Sequence, residues 1–278
     1  MSSRYPVYVI SKGRPDRCIT SRSLDRMGVK HVVVVEPQEY DAYKKTIGGD
    51  RLIVTPFSNL GQGSIPVRNF VWEHSIECGH KKHWVLDDNI EDFNRLNRNK
   101  KPSARTSAIF RAAEDFTDRF ENVDISGFNY YSFCKATDAV PPFYANTRVY
   151  SCILINNKMS FRWRGRFNED TDLSLRVLKS GKCTILFNAF LCGKVTTMRM
   201  KGGNTEEVYG DTDDRREFAE SLRRQHPDVV KVVRKFGRWH HQVNYKPFKD
   251  NELILKSPSL EKVGNDEYGM TLCADSAN

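Results

Sequence analysis

Two short acidic segments carry the residues of this sequence best suited to chemistry. The first is Asp87-Asp88-Asn89, directly after the apolar run at 83–86. Adjacent carboxylates repel one another, and a bound cation lets both stay ionised. Hard Mg2+ or Mn2+ suits such oxygens and can bridge them to a diphosphate. The same triplet also suits a polar turn held by Asx hydrogen bonds. The second segment is Asn168-Glu169-Asp170-Thr171-Asp172, opening a predicted helix. Asn168 is placed to cap that helix, and acids in its first turn favour the helix dipole. Three acids in four residues exceed what capping requires. If the helix start faces a cleft, one carboxylate can act as general base toward a hydroxyl acceptor.

Basic residues accompany both segments. Lys12-Gly13-Arg14 follows the first predicted strand, and Arg68-Asn69 follows Gly61-Gln62-Gly63-Ser64-Ile65-Pro66 at a loop-to-helix transition. A helix N-terminus beside an arginine favours phosphate, although each residue also reads as an ordinary exposed cation. Arg95, Arg98, Lys100, Lys101 and Arg105 come after the first acidic segment, and Arg162, Arg164 and Arg166 come just before the second. Phe161, Trp163 and Phe167 interleave the latter, a mixture of cations and rings suited to contact with a polyanion. A solvated face over core aromatics gives the same pattern. Lys231, Arg234, Lys235 and Arg238 form a third basic stretch.

The elements that must position these residues follow from the apolar pattern. Strands are expected at 5–10, 31–36, 52–56 and 83–86, alternating with helices at 18–27, 41–47 and 66–78. Four consecutive valines in the second strand mark a strand buried on both faces, as in parallel sheets. Such alternation argues for right-handed βαβ units and an open sheet, in which ligands bind beyond the carboxyl ends of strands. Ser103 is read as the cap of a helix running to Phe120. Strands follow at 125–134, 148–155 and 183–192, with a helix at 169–180 between the last two. After a basic loop at 198–209, two short helices are expected to meet at Pro227, the second ended by Gly237.

The chain has 278 residues, 39% hydrophobic and 28% charged, with a net charge of +9. This composition excludes wholesale disorder, and no apolar run approaches the ~18 residues of a membrane span. The positive balance favours a polyanionic partner. Seven cysteines, odd in number and without a Cys-x-x-Cys pair, read as reduced thiols of a cytoplasmic protein. The strand close to the N-terminus leaves no room for a signal peptide. No membrane association and no obligate protein partner are expected.

Four elements occur in order: the strand ending Ser-Lys-Gly-Arg-Pro, the strand Val-Val-Val-Glu-Pro, the Arg-Asn helix, and Leu-Asp-Asp-Asn. Together they resemble a nucleotide-sugar glycosyltransferase of the GT-A type. More narrowly, the chain is similar to the TET-associated glycosyltransferases of phages and base-modifying eukaryotes. The segments Asn-Glu-Asp-Thr-Asp-Leu-Ser-Leu-Arg, Lys-Gly-Gly-Asn-Thr, His-Pro-Asp-Val-Val and Arg-Trp-His-His-Gln-Val-Asn-Tyr extend the likeness over roughly residues 5–250.

The resemblance implies an α/β fold: one GT-A-like domain, a Rossmann-type mixed open sheet flanked by helices. Residues 1–92 would form the nucleotide-sugar half and 93–250 the acceptor half, with a C-terminal extension at 251–278. It implies transfer of glucose or N-acetylglucosamine from the UDP-sugar to the hydroxymethyl group of a 5-hydroxymethylpyrimidine in double-stranded DNA. Base flipping would expose the acceptor, most readily 5-hydroxymethylcytosine. By position, Ser11, Lys12, Arg14, Glu36, Arg68, Asp87 and Asp88 resemble the donor-binding set. Asp88 and Asn89, with His240 or His241, resemble ligands of Mn2+ or Mg2+; the family motif usually ends in Asp where this chain has Asn89. Asp170 resembles the acceptor-side base, with Glu169 as competitor. Arg98, Lys100, Lys101, Arg162, Arg164 and Arg166 are the expected DNA contacts. A phage origin would place the protein in the host cytoplasm. A protein or polysaccharide acceptor, a nucleotidyltransferase, and a DNA-binding protein with a vestigial nucleotide site are the competing readings.

Overall fold

The computed structural model describes residues 2–137, 139–195, 215–235 and 237–256. The predicted basic loop at 198–209, with its Lys-Gly-Gly-Asn-Thr segment, lies outside the described residues. Strands β1 (Val7–Ile10), β2 (Val32–Val35), β3 (Leu52–Val54) and β4 (Lys82–Asp87) are linked by helices α1 (Ile19–Arg26), α2 (Tyr40–Ile47) and α3 (Ile65–Glu77). The second half adds β5 (Ile90–Arg95), α4 (Ala108–Thr117), β6 (Val123–Tyr130), β7 (Phe143–Ala145), β8 (Cys152–Asn156), α5 (Glu169–Lys179) and β9 (Cys183–Lys194). The expected α/β class, a mixed sheet flanked by helices, is what the chain adopts.

The sheet runs β3-β2-β1-β4-β8-β6-β9-β5, with β7 on β9. Strands β3, β2, β1 and β4 are parallel, β8 is antiparallel to both β4 and β6, and β6 is parallel to β9. The carboxyl ends of β1, β2, β4, β6 and β9 therefore share one edge, and the reversed β8 brings its amino end there.

Residue alternation builds a core on each face, because successive strand side chains point to opposite sides. Val7, Val9, Trp84 and Leu86 join Leu24, Tyr43, Phe110 and Ala113 from α1, α2 and α4. Tyr8, Ile10 and Val85 join Val71 and Trp72 of α3 and Leu173 and Val177 of α5. The opposite flank of α5 contributes Leu175 and Leu178 to a third cluster, with Leu222 of α6 (Arg215–Gln225), Val230 and Phe248.

Several expectations are corrected here. The segment after Pro227 is a hairpin, β10 (Val230–Lys235) paired antiparallel with β11 (Arg238–Val243), and not a second helix. Its Val-rich, β-branched sequence favours extended backbone, and Gly237 takes φ 74° in the turn where a helix end was expected. The helix placed from Ser103 begins at Ala108, because Ser103 pairs with Asn94 and donates to Asp92. Asn168 makes no capping bond; its backbone is left-handed (φ 55°) and its amide donates to the Phe218 carbonyl. In the expected extension, residues 251–256 pack back on the domain, with Leu255 bridging Phe120 and Asn251 donating to the Leu178 and Lys182 carbonyls.

Two residues fix the close packing within the second half. At Gly127 on β6, an added Cβ would stand 2.2 Å from the Cys152 carbonyl oxygen, so only glycine lets β8 approach this closely. Gly127→Ala is expected to lower stability by about 1–3 kcal/mol, read from the urea midpoint. Asp172, the third acid of the second segment, is fully buried. It accepts from Arg176 Nε at 2.8 Å, Arg164 Nη2 at 3.1 Å and His226 Nε2 at 2.8 Å, tying α5 to the end of α6. Asp172→Ala leaves these donors facing a void and is expected to cost about 3–5 kcal/mol. Burial raises the Asp172 pKa, but His226 and the two arginines more than offset it, so the pKa falls below 3.8. The contribution is therefore fully present above pH 3.8 and lost as pH falls through the lowered value; urea midpoints in acid should fall less steeply in the variant.

Candidate active site

A cleft of about 280 Å³ opens at the shared sheet edge. It is lined by Ile10 and Ser11 at the end of β1, Val35 and Glu36 after β2, Asp87 to Asn89 after β4, Tyr130 ending β6 and Lys194 ending β9. The first turns of α3 and α5 close it, contributing Ser64, Val67 and Arg68 from one, and Glu169, Asp170 and Thr171 from the other. Two helix N-termini at one cavity favour an anionic ligand.

Arg68 is the centre of this site and is 2% exposed. Its Nη2 donates to Asp87 Oδ1 at 2.9 Å, with Asp170 Oδ1 at 3.8 Å, while its Nε lies 3.7 Å from Glu169 Oε1. The guanidinium lies 4.7 Å from the Trp163 ring centroid, and Asn69 brackets the Trp163 backbone by accepting from its N–H and donating to its carbonyl. Burial works against the Arg68 charge, but the carboxylates of Asp170, Asp87 and Glu169 outweigh it and hold the group protonated. Its Nη1 is buried without a hydrogen-bond partner.

The carboxylates around Arg68 differ in what else they touch. Asp87 accepts from Lys194 Nζ at 2.7 Å and Ser151 Oγ at 2.6 Å. Burial raises its pKa, yet Lys194 and Arg68 overcome this and leave it well below the usual carboxylate range. Glu169 accepts from Ser64 Oγ at 2.8 Å. Asp170 Oδ1 is buried with no hydrogen-bond partner. Burial, with Glu169 and Asp87 nearby, outweighs Arg68 and pushes the Asp170 pKa up to about 7.

Asp88 belongs to a neighbouring cluster. Arg14 Nη1 donates to its Oδ1 at 2.6 Å and Ser11 Oγ to its Oδ2 at 2.7 Å, with the Tyr43 hydroxyl 2.6 Å from Ser11 Oγ. Lys12 Nζ pairs with Glu36 at 3.3 Å. All seven residues expected to bind the donor thus line this one cleft, as do Asp170 and Glu169.

Among the described residues no three His, Cys, Asp or Glu side chains converge to hold a metal ion. Asn89 lines the cleft and its Oδ1 is buried without a partner, beside Asp88. These are hard oxygen donors, and Mg2+ commonly takes one or two protein ligands with the rest from water and phosphate. His240 and His241 lie on β11 and do not line the cleft; burial and Arg148 lower the His241 pKa to about 4.

The 161–167 segment sets arginines at the surface over packed aromatic rings. Trp163 is core and Phe167 stacks on Phe218 at 4.0 Å, so these rings are packed within the protein. Arg162 pairs with Glu73 at 2.6 Å over the Trp72 ring, Arg164 binds Asp172, and Arg166 lies over Phe167. Arg98 and Lys100 are exposed beside β5, and Lys101 Nζ sits 4.3 Å over the Tyr131 ring.

Tyr43, Tyr130, Ser151 and Lys194 are among the residues of the site that carry no expectation from the sequence. Lys194 stands two residues beyond the expected end of its strand, where the carboxyl-end rule pointed. Ser151 has φ 52° and joins the Tyr130 hydroxyl at 2.6 Å to Asp87; nothing local in the sequence marks it.

The TET-Associated Glycosyltransferase family profile matches residues 5–203. Among curated proteins none matches the sequence. Among solved structures, one described as a putative nucleotide-diphospho-sugar transferase, from Desulfovibrio desulfuricans G20, aligns with a TM-score of 0.39 and 8% identity, covering 66% of this chain and 80% of that one. With the family profile spanning the whole of the cleft-bearing sheet, the chain belongs to the TET-associated glycosyltransferase family and is a glycosyltransferase.

Proposed function

We propose that the enzyme transfers glucose or N-acetylglucosamine from a UDP-sugar to the hydroxymethyl group of a 5-hydroxymethylpyrimidine in DNA, 5-hydroxymethylcytosine foremost. One observation carries this reading. A carboxylate with an unengaged oxygen, Asp170, shares its cleft with four cations and two helix N-termini suited to a diphosphate.

In this reading the UDP moiety lies along the ends of β1, β2 and β4. Lys12 and Arg14 meet the nucleotide end, and Arg68 and Lys194 face the phosphates. Asp170 accepts the hydroxymethyl proton as that oxygen bonds to the anomeric carbon, and the bond from carbon to phosphate oxygen breaks with its electrons leaving on UDP. A single displacement of this kind inverts the anomeric centre. Arg68 and Lys194 stabilise the charge that develops on the departing diphosphate. The cleft acids Glu36, Asp87, Asp88, Glu169 and Asp170 outnumber the cations Lys12, Arg14, Arg68 and Lys194. A divalent ion held by Asp88 and Asn89 would add positive charge beside the diphosphate.

The test is incubation with UDP-glucose or UDP-N-acetylglucosamine, Mn2+, and DNA containing 5-hydroxymethylcytosine or 5-hydroxymethyluracil, followed by nucleoside mass analysis. A hexose or N-acetylhexosamine mass gain, lost on chelation, is the expected result. No gain with any donor, while UDP binds, overturns the acceptor assignment. Asp170→Asn should reduce kcat by about 10²–10⁴-fold with UDP-sugar affinity retained; a fully active variant refutes Asp170 as base. Because the base works deprotonated, kcat/KM should rise with pH and level off above the Asp170 value of about 7.

A further inference from the structure

Beside the cleft lies a second cavity of about 630 Å³, and Tyr150 lines both. The Tyr150 ring stacks on Tyr130, 5.5 Å between centroids at 17°, and the Arg148 guanidinium lies 4.7 Å from its centroid. Phe133 packs against Tyr130 at 5.1 Å, which continues a line of rings from the surface to the residue hydrogen-bonded through Ser151 to Asp87. At the surface end Phe133 is 59% exposed and Tyr144 is 44% exposed. Arg148, Lys246 and Lys249 also line the cavity, and among the described residues that line it none is acidic. Asn146, on the same wall, has its Oδ1 buried without a hydrogen-bond partner.

Ring faces interleaved with cations are the chemistry of a groove for unpaired nucleotides: bases stack, and the cations track the phosphates. Rings alone would also suit a neutral sugar, but three cations with no carboxylate among the described lining residues favour a polyanion. We propose that this second cavity receives the acceptor nucleotide of a DNA strand, its base against the Tyr150–Tyr130 stack and its flanking phosphates along Arg148, Lys246 and Lys249. The inference rests on the DNA-acceptor reading of the adjoining cleft. It moves the principal DNA contact away from Arg162 and Arg164, whose charges are met by Glu73 and Asp172.

The test uses the full chain, a short fluorescein-labelled duplex containing 5-hydroxymethylcytosine, and UDP binding by calorimetry as the check on the fold. Lys246→Glu with Lys249→Glu should weaken the duplex at least tenfold and flatten the salt dependence of binding, since fewer counterions are released. Phe133→Ala with Tyr144→Ala should weaken binding severalfold with the salt slope unchanged. UDP affinity should stay within twofold of wild type in both, and Arg162→Ala should leave the slope unaltered. Wild-type duplex affinity and slope in both double variants overturn the site while leaving the DNA reading in place. A wild-type protein that binds UDP but no duplex overturns both.

Discussion

One buried guanidinium gathers the whole site. Arg68 enters from α3, yet the carboxylates around it come from the end of β4 and the first turn of α5, nineteen and about a hundred residues further on. A charge with almost no solvent contact must be met by partners in place, because an uncompensated buried ion costs several kcal/mol. Folding therefore cannot complete α3 against the sheet without also delivering Asp87, Glu169 and Asp170 to the same point. The Trp163 ring beneath the guanidinium, and Asn69 clasping the Trp163 backbone, extend that requirement to the segment before α5.

The same arrangement separates two acids of identical type. Asp87 receives a lysine, an arginine and a hydroxyl, and stays ionised; Asp170 shares the arginine at longer range and has an oxygen with no donor. Environment alone divides them into a carboxylate held ionised and one that binds its proton far more readily, the usual way in which paired carboxylates come to differ.

The first half of the fold is readable in the sequence because each parallel strand is short, apolar and followed by a helix with clear punctuation. The acids and cations at those strand ends are legible for the same reason: strand carboxyl ends converge, so residues far apart along the chain can be grouped from the strand pattern alone. What the pattern misplaces depends on partners it does not display. Arg162 and Arg164 keep their place at the surface, but their pairing with Glu73 and Asp172 is not visible in the pattern. The rings between them look like wedges until Trp163 is found beneath Arg68. Ser151 enters the site only through the reversal of β8, a topological fact without a local signature, and the hairpin at β10–β11 is hidden by a proline and a glycine that also punctuate helices.

That reversed strand has a consequence for how such an enzyme can diversify. β8 is reached through the 131–150 connection, which carries Phe133, Tyr144, Arg148 and Tyr150, whereas the residues proposed to hold the donor lie at the ends of β1, β2 and β4 and the start of α3. The two sets meet at the amino end of one strand and share little else of the backbone. On the proposed donor and acceptor assignment, substitutions in that single connection reshape what the enzyme accepts while the machinery that holds the activated sugar is inherited unchanged.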